Sequence, residues 1–167
     1  MAIQNRNRVA VVIPKYGLVG GAEGFAAELT ERLARDDRYE IHVFANTWRS
    51  LSDRLFFHRV PIIPFPKFLT TPSFAYFAAK RLSRIPFDLI HTHDRIYQAD
   101  LYTLHGIPHR LWCREVRKKD RLSLFDRATV HVEKRLVQGG RCRRFLAVSG
   151  LTRDWFLREY PAAEGKV

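Results

Sequence analysis

The stretch Val9-Ala10-Val11-Val12-Ile13-Pro14, with the loop Lys15 to Gly21 and the segment Ala22 to Leu33 behind it, decides how this chain folds. Its first six residues form a continuous apolar, largely β-branched run, the pattern of a parallel strand covered on both faces. A glycine-bearing loop follows. Ala22, Phe25, Ala26, Leu29 and Leu33 then recur at three- and four-residue intervals, with Glu23, Glu28, Glu31 and Arg32 on the other side. That spacing predicts a helix with one apolar face. Tyr39 to Ala45 (YEIHVFA) reads as a second strand, so the segment is a βαβ unit with a right-handed crossover.

The pattern continues outward. Arg59 to Pro64 (RVPIIP) reads as a short third strand, near an edge or end because its prolines cannot donate to a ladder. Pro72 to Arg84 is expected to be a helix carrying Phe74, Phe77, Ala78 and Leu82 on one face. Asp88 to His93 (DLIHTH) and Leu101 to His105 (LYTLH) are two further strands. A long basic helical region fills Pro108 to Gln138, interrupted near Asp120. Arg144 to Ser149 is the last strand and Gly150 to Tyr160 the last helix. Strands alternating with helices predict an α/β fold, a parallel sheet with helices on both faces. The 167 residues suffice for one domain with a sizeable core. A hydrophobic fraction of 46% with 13% aromatics excludes general disorder. No apolar run approaches the ~20 residues of a spanning helix. The residues from Met1 to Arg6 lack the apolar stretch of a signal peptide, so the expected location is cytoplasmic. Cys113 and Cys142 match neither a metal spacing nor a disulfide framework and are expected to be free thiols.

In an open α/β sheet ligands lie at the carboxyl ends of the strands. That rim carries Gly20-Gly21, His93-Asp94, His105-Gly106 and Ser149. Glycines between a first strand and its helix let a ligand approach the backbone, and the helix start offers free N–H groups to an anion. The spacing is not GxGxxG, and a plain tight turn explains the same residues. His91 and His93, at i and i+2 on a strand, face one side. They suit a polar rim for hydroxyls or phosphates, structural hydrogen bonding, or a metal for which no third ligand follows at useful spacing. His105 stands where an imidazole can reach a sugar hydroxyl or serve the core, and Gly106 leaves space beside it.

Charge adds a separate constraint. With 29 Lys and Arg against 17 Asp and Glu the net charge is +12, which points to an anionic partner: nucleic acid, a membrane surface or a phosphorylated substrate. Twelve of the cations fall between Gly106 and Arg144 against four carboxylates, interleaved with Leu111, Trp112, Val116, Leu122, Leu124 and Phe125. A basic amphipathic stretch of this kind suits an anionic bilayer, with Arg114, Arg117, Lys118, Lys119 and Arg121 as the contacts. A solvated face is the plainer alternative. A basic nucleic-acid- or membrane-binding module without catalysis is the competing function, although no recognised nucleic-acid module fits this strand order.

Taken together, the pieces resemble the N-terminal domain of the retaining GT-B glycosyltransferases of group 1, or family 4. The resemblance rests on Gly20-Gly21-Ala22-Glu23 after an apolar strand, the helix Phe25 to Ala34, a strand ending in His91-Thr92-His93 and a strand ending in His105-Gly106. Glu133 in a long helix and Phe145-Leu146-Ala147-Val148-Ser149 complete it. It covers essentially the whole chain. The stretch Asp88 to Tyr160 is most similar to lipopolysaccharide core glucosyltransferases, departing at His105, where those enzymes can carry an aspartate. The resemblance implies a Rossmann-like, acceptor-side domain over residues 1–167, with a C-terminal donor-binding domain absent from this sequence. It implies sugar transfer, with retention, from a nucleotide-diphosphate sugar to a glycan or lipid-linked acceptor such as lipopolysaccharide core. His105 would be the catalytic contact; Gly20, Gly21, Glu23, His93, Asp94, Arg95, Gly106 and Ser149 would hold donor or acceptor. Neither a metal nor another cofactor is expected, and neither is a nucleic-acid partner. The enzyme would sit peripherally on the inner face of the cytoplasmic membrane, and this half alone would be inactive.

Overall fold

The apolar run around Val9 becomes the middle of a six-stranded sheet in the computed structural model, which describes residues 6–18, 20–50 and 52–167. Val19, inside the glycine loop, and the amino-terminal residues 1–5 that were read for a leader lie outside the described residues. In chain order the elements are β1 (Asn7–Val12), β2 (Lys15–Tyr16), α1 (Gly21–Leu33), β3 (Tyr39–Ala45), β4 (Thr47–Trp48), β5 (Leu55–Arg59), α2 (Thr70–Leu82), β6 (Leu89–Thr92) and β7 (Leu101–Leu104). A short α3 (His109–Leu111) runs into a π-helical turn over Trp112–Val116, followed by α4 (Leu124–Gln138), β8 (Arg144–Ala147) and α5 (Gly150–Glu159). The main sheet has the order β5-β3-β1-β6-β7-β8, and every pairing in it is parallel. β2 and β4 form a separate two-stranded pair beside its carboxyl edge.

Alternation along β1 divides the core. Ala10 and Val12 join Phe44, Phe74, Ala78, Leu136, Phe145 and Phe156 on the face covered by α2, α4 and α5. Val9 and Val11 join Ile41, Val43, Ala26 and Tyr16 on the face covered by α1. The fold is therefore a Rossmann-like α/β sheet with helices on both faces. No helix among the described residues is long and apolar enough to cross a membrane.

One strand is placed differently from the sequence expectation. The third strand is Leu55–Arg59, paired with Ile41–Ala45, and it ends where RVPIIP was expected to begin. Pro61 and Pro64 have no N–H to extend the ladder, so they terminate the strand and do not form it. It is an edge strand, as the prolines suggested. The basic region is helical with a break around Asp120, as expected. Lys118 takes a left-handed conformation at φ 49°, and α4 starts afresh at a capping box in which Ser123 Oγ accepts from Asp126 N while Ser123 N donates to Asp126.

Candidate functional site

Because β1, β6 and β7 are neighbours, the loops leaving their carboxyl ends meet although they are far apart in sequence. On β6, His91 and the following His93 point to the same face, with ring centroids 4.3 Å apart. β7 sets a partner opposite each of them: His91 Nε2 lies 2.8 Å from Thr103 Oγ1, and His93 Nδ1 lies 3.0 Å from His105 Nε2. Phe25 of α1 closes the row edge-on, 5.3 Å from the His105 ring and 6.2 Å from that of His93. Burial pushes the His91 imidazole down to about 4, helped by the charge of His105, and pushes His93 lower still. His105 is lowered by burial too, against the opposing pull of Asp94 and Glu23. The three imidazoles are therefore neutral near pH 7, able to exchange hydrogen bonds with a hydroxyl. His93 Nε2 is buried with no partner among the described residues.

The glycine loop approaches from β1. Gly20, the N-cap of α1, has φ 157°, and a Cβ built on it collides with the Glu23 carboxylate. Gly20 O accepts from Gly24 N at 2.9 Å, while Gly21 has open space around its Cα. Glu23, in the first turn of α1, thus folds back over the loop and its charge acts on both Asp94 and His105. Asp94 is raised above the usual carboxylate range by burial, even though Arg95 N donates to its Oδ1 at 2.6 Å. The His93–Arg95 and His105–Pro108 turns enclose a cavity of about 110 Å³.

The floor of this cavity is anchored by Glu133 of α4, which is 2% exposed. Its carboxylate accepts from Arg95 Nε at 2.7 Å, from Tyr160 OH at 2.9 Å and from the backbone N of His109 at 3.1 and 3.2 Å. One buried side chain thus ties the turn after β6, the turn after β7 and the end of α5 to each other.

The sequence profile of Glycosyltransferase Family 4 matches residues 19–167. The chain belongs to this family. A crystal structure of WaaG, described as a glycosyltransferase involved in lipopolysaccharide biosynthesis, superposes on the family 4 chain with a TM-score of 0.78 over 92% of its residues, at 14% identity. At that identity the likeness is one of fold, and the chain spans 42% of the WaaG chain. No curated protein matches the sequence.

Within this family 4 fold, the expected rim residues divide into groups. His93, Asp94, Arg95, His105 and Gly106 all line the cavity, and Gly20, Gly21 and Glu23 stand at the neighbouring start of α1. Arg95 is held in its ion pair with Glu133. Ser149 stands apart from the cavity lining, exposed, its Oγ capping α5 by accepting from Thr152 N at 3.1 Å. Of the basic residues, Arg114, Arg117, Lys118 and Arg121 are exposed, with Arg117 lying over the Trp112 ring at 5.1 Å. Lys119 turns inward and donates from Nζ to Asp126 Oδ2 at 2.7 Å.

Sequence reasoning missed two features. It put Phe25 on the core face of α1, yet the ring is 46% exposed and lies against the histidines. It also missed the network around Asp126, whose Oδ1 accepts from Cys113 Sγ at 3.3 Å and lies 3.0 Å from His109 Nε2. The spacing Ser123-x-x-Asp126 was the available signal for the second. His109, Cys113 and Asp126 place ligand atoms within 4.8 Å of one another, the geometry of a potential metal site, but Lys119 already supplies a cation to that carboxylate. Both cysteines are buried free thiols, as expected.

Proposed function

We propose that this chain is the acceptor-side half of a two-domain glycosyltransferase that moves a hexose, with retention, from a nucleotide-diphosphate sugar to a glycan or glycolipid acceptor of the lipopolysaccharide-core class. The observation that carries the reading is the convergence of three strand ends on one rim: neutral His93 and His105 in contact, Phe25 beside them, Glu23 and the start of α1 opposite. A sugar offers hydroxyls to such imidazoles and an apolar ring face to Phe25. Free N–H groups at the start of α1 face the place where charge grows on a departing diphosphate. His105 is the catalytic contact in this reading, and Gly20, Gly21, Glu23, His93, Asp94 and Gly106 position donor and acceptor. The donor is held mainly by a second domain outside this sequence, so the half-enzyme is inactive alone. No metal or other cofactor takes part, because the helix start and basic side chains meet the diphosphate charge. Arg114, Arg117, Lys118 and Arg121 hold the protein on an anionic membrane surface, the inner face of the cytoplasmic membrane.

The test is transfer of labelled hexose from a nucleotide-diphosphate sugar to isolated lipopolysaccharide core, using the protein joined to a donor-binding domain. Turnover is expected, with His105→Ala lowering kcat by roughly 100-fold or more. An unchanged rate in that variant would remove His105 from the chemistry, and absence of transfer to any glycan acceptor would overturn the reading.

A further inference from the structure

A second concave site lies against the last turns of α4, on the side of the helix turned away from the buried Glu133 and beside the amino-terminal ends of β7 and β8. It is a cavity of about 510 Å³, well within the range of small-ligand sites. One wall is the face of α4 that carries His131, the adjacent Lys134 and Arg135 one turn on, and Gln138 a turn beyond them. The other wall is Gln98, from the loop before β7, and Arg141, from the loop before β8. α4 is 15 residues long, so at about 1.5 Å per residue its two ends are roughly 22 Å apart. The cavity is thus separate from the stretch that precedes α4.

Two glycines build it. Gly139 N donates to Arg135 O at 3.1 Å, and a Cβ at Gly139 collides with that same carbonyl oxygen. Gly140 follows with φ 78°, a left-handed conformation that favours glycine. The chain is thereby turned back across the helix end, and Arg141 Nη1 donates to Gln98 Oε1, tying the two loops together. The result brings Lys134, Arg135 and Arg141 to one concavity with no carboxylate in its lining. None of the three has an ion-pair partner among the described residues. The negative end of a helix dipole attracts cations at its last turn, which accounts for Lys134 and Arg135. It does not account for Arg141, which comes from outside the helix and is held over the cavity by Gln98.

We propose that this cavity binds a phosphate group, as a phosphomonoester or a diphosphate, at a site distinct from the rim. Three cations and the amides of Gln98 and Gln138 supply many donors and no fixed negative charge, the complement of a multiply charged anion rich in acceptor oxygens. The inference stands on this geometry alone and holds whether or not the rim transfers sugar.

The test is calorimetric titration of the protein with inorganic pyrophosphate, alongside co-sedimentation with phosphatidylcholine vesicles containing phosphatidic acid. Lys134→Gln/Arg135→Gln changes only the cavity wall and keeps good helix formers. Arg84→Gln/Arg153→Gln removes the same charge from exposed positions elsewhere. The cavity pair is expected to weaken pyrophosphate binding by roughly tenfold or more, with the control pair unchanged. Pyrophosphate binding without vesicle binding assigns the site to soluble phosphates. Vesicle binding that pyrophosphate displaces, and that the cavity pair loses, assigns it to a lipid headgroup. The proposal is overturned by absence of saturable binding in both arms, by equal loss in the two pairs, or by duplex DNA binding through the same residues in preference to pyrophosphate.

Discussion

Replacing Glu133 by alanine tests whether one buried carboxylate holds the rim together. The substitution leaves the Arg95 guanidinium, the Tyr160 hydroxyl and the His109 N–H without the acceptor they share, in a place where water does not easily substitute. Breaking a buried ion pair from one side costs about 3–5 kcal/mol, because the remaining charge stays desolvated. Asp94 Oδ1, 3.7 Å from Arg95 Nη1, recovers part of that loss, which favours the lower half of the range. For a chain of 167 residues each kcal/mol shifts Tm by about 2–4 °C, so a drop of roughly 6–15 °C is expected. Thermal unfolding followed by circular dichroism measures the Tm, and urea unfolding measures the free energy, with an unchanged m-value showing that the unfolded state is unaltered. Glu133→Gln, which keeps an acceptor and loses the charge, should cost less, about 1.5–3 kcal/mol. Tyr160→Phe should destabilise the wild type by about 1 kcal/mol and the Glu133→Ala background by less, since the bond it removes is already gone. A Glu133→Ala variant within about 1 kcal/mol of wild type, or a Tyr160→Phe effect equal in both backgrounds, would refute the reasoning.

The neighbouring glycines should respond differently to the same change. Gly20→Ala meets the Glu23 carboxylate at φ 157° and is expected to cost about 1–3 kcal/mol, whereas Gly21→Ala, in open space at the helix start, should stay within about 0.5 kcal/mol in the same unfolding assay. His91 has a folded pKa of about 4, below its unfolded value near 6.5, so the unfolded state binds the extra proton between them. Stability should therefore fall as pH drops through that window, and the His91 Cε1 resonance should titrate near 4; a midpoint at 6 or above would contradict the buried, neutral ring. Arg117→Glu/Arg121→Glu should weaken binding to anionic vesicles by roughly tenfold or more, in a salt-dependent way. Lys119 is left out of that test because it holds Asp126, and unchanged binding across a salt series would exclude the membrane contact.

Patterns with a short period were legible without a structure. The run at Val9, the helix spacing from Ala22 and the strand at Tyr39–Ala45 each answer to local sterics and one-dimensional burial, and all three stand. The pairing of His91 with His93 on one face follows from the two-residue period of a strand. Edges were harder to place. Nothing local says that Leu55–Arg59, and not the proline-rich residues after it, would find Ile41–Ala45 as its partner, because that choice is made by register across the sheet.

What the sequence by itself determined is most of the strands and helices and the gathering of strand ends along one rim, since parallel strands joined by crossovers of one hand all point the same way. What only the tertiary structure decided is the work of individual side chains on that rim. Phe25 belongs to the apolar spacing of α1, yet its ring is half-exposed and sits against His93 and His105. Lys119 and Arg117 look alike in a basic run, yet one is drawn to Asp126 and the other lies over Trp112 on the surface. Glu133 is one glutamate in a helix until three donors from distant segments converge on it. Long-range contacts of this kind depend on which loops the sheet brings within hydrogen-bond reach, and the Gly20-Gly21 loop at the head of the βαβ unit joins the others only there.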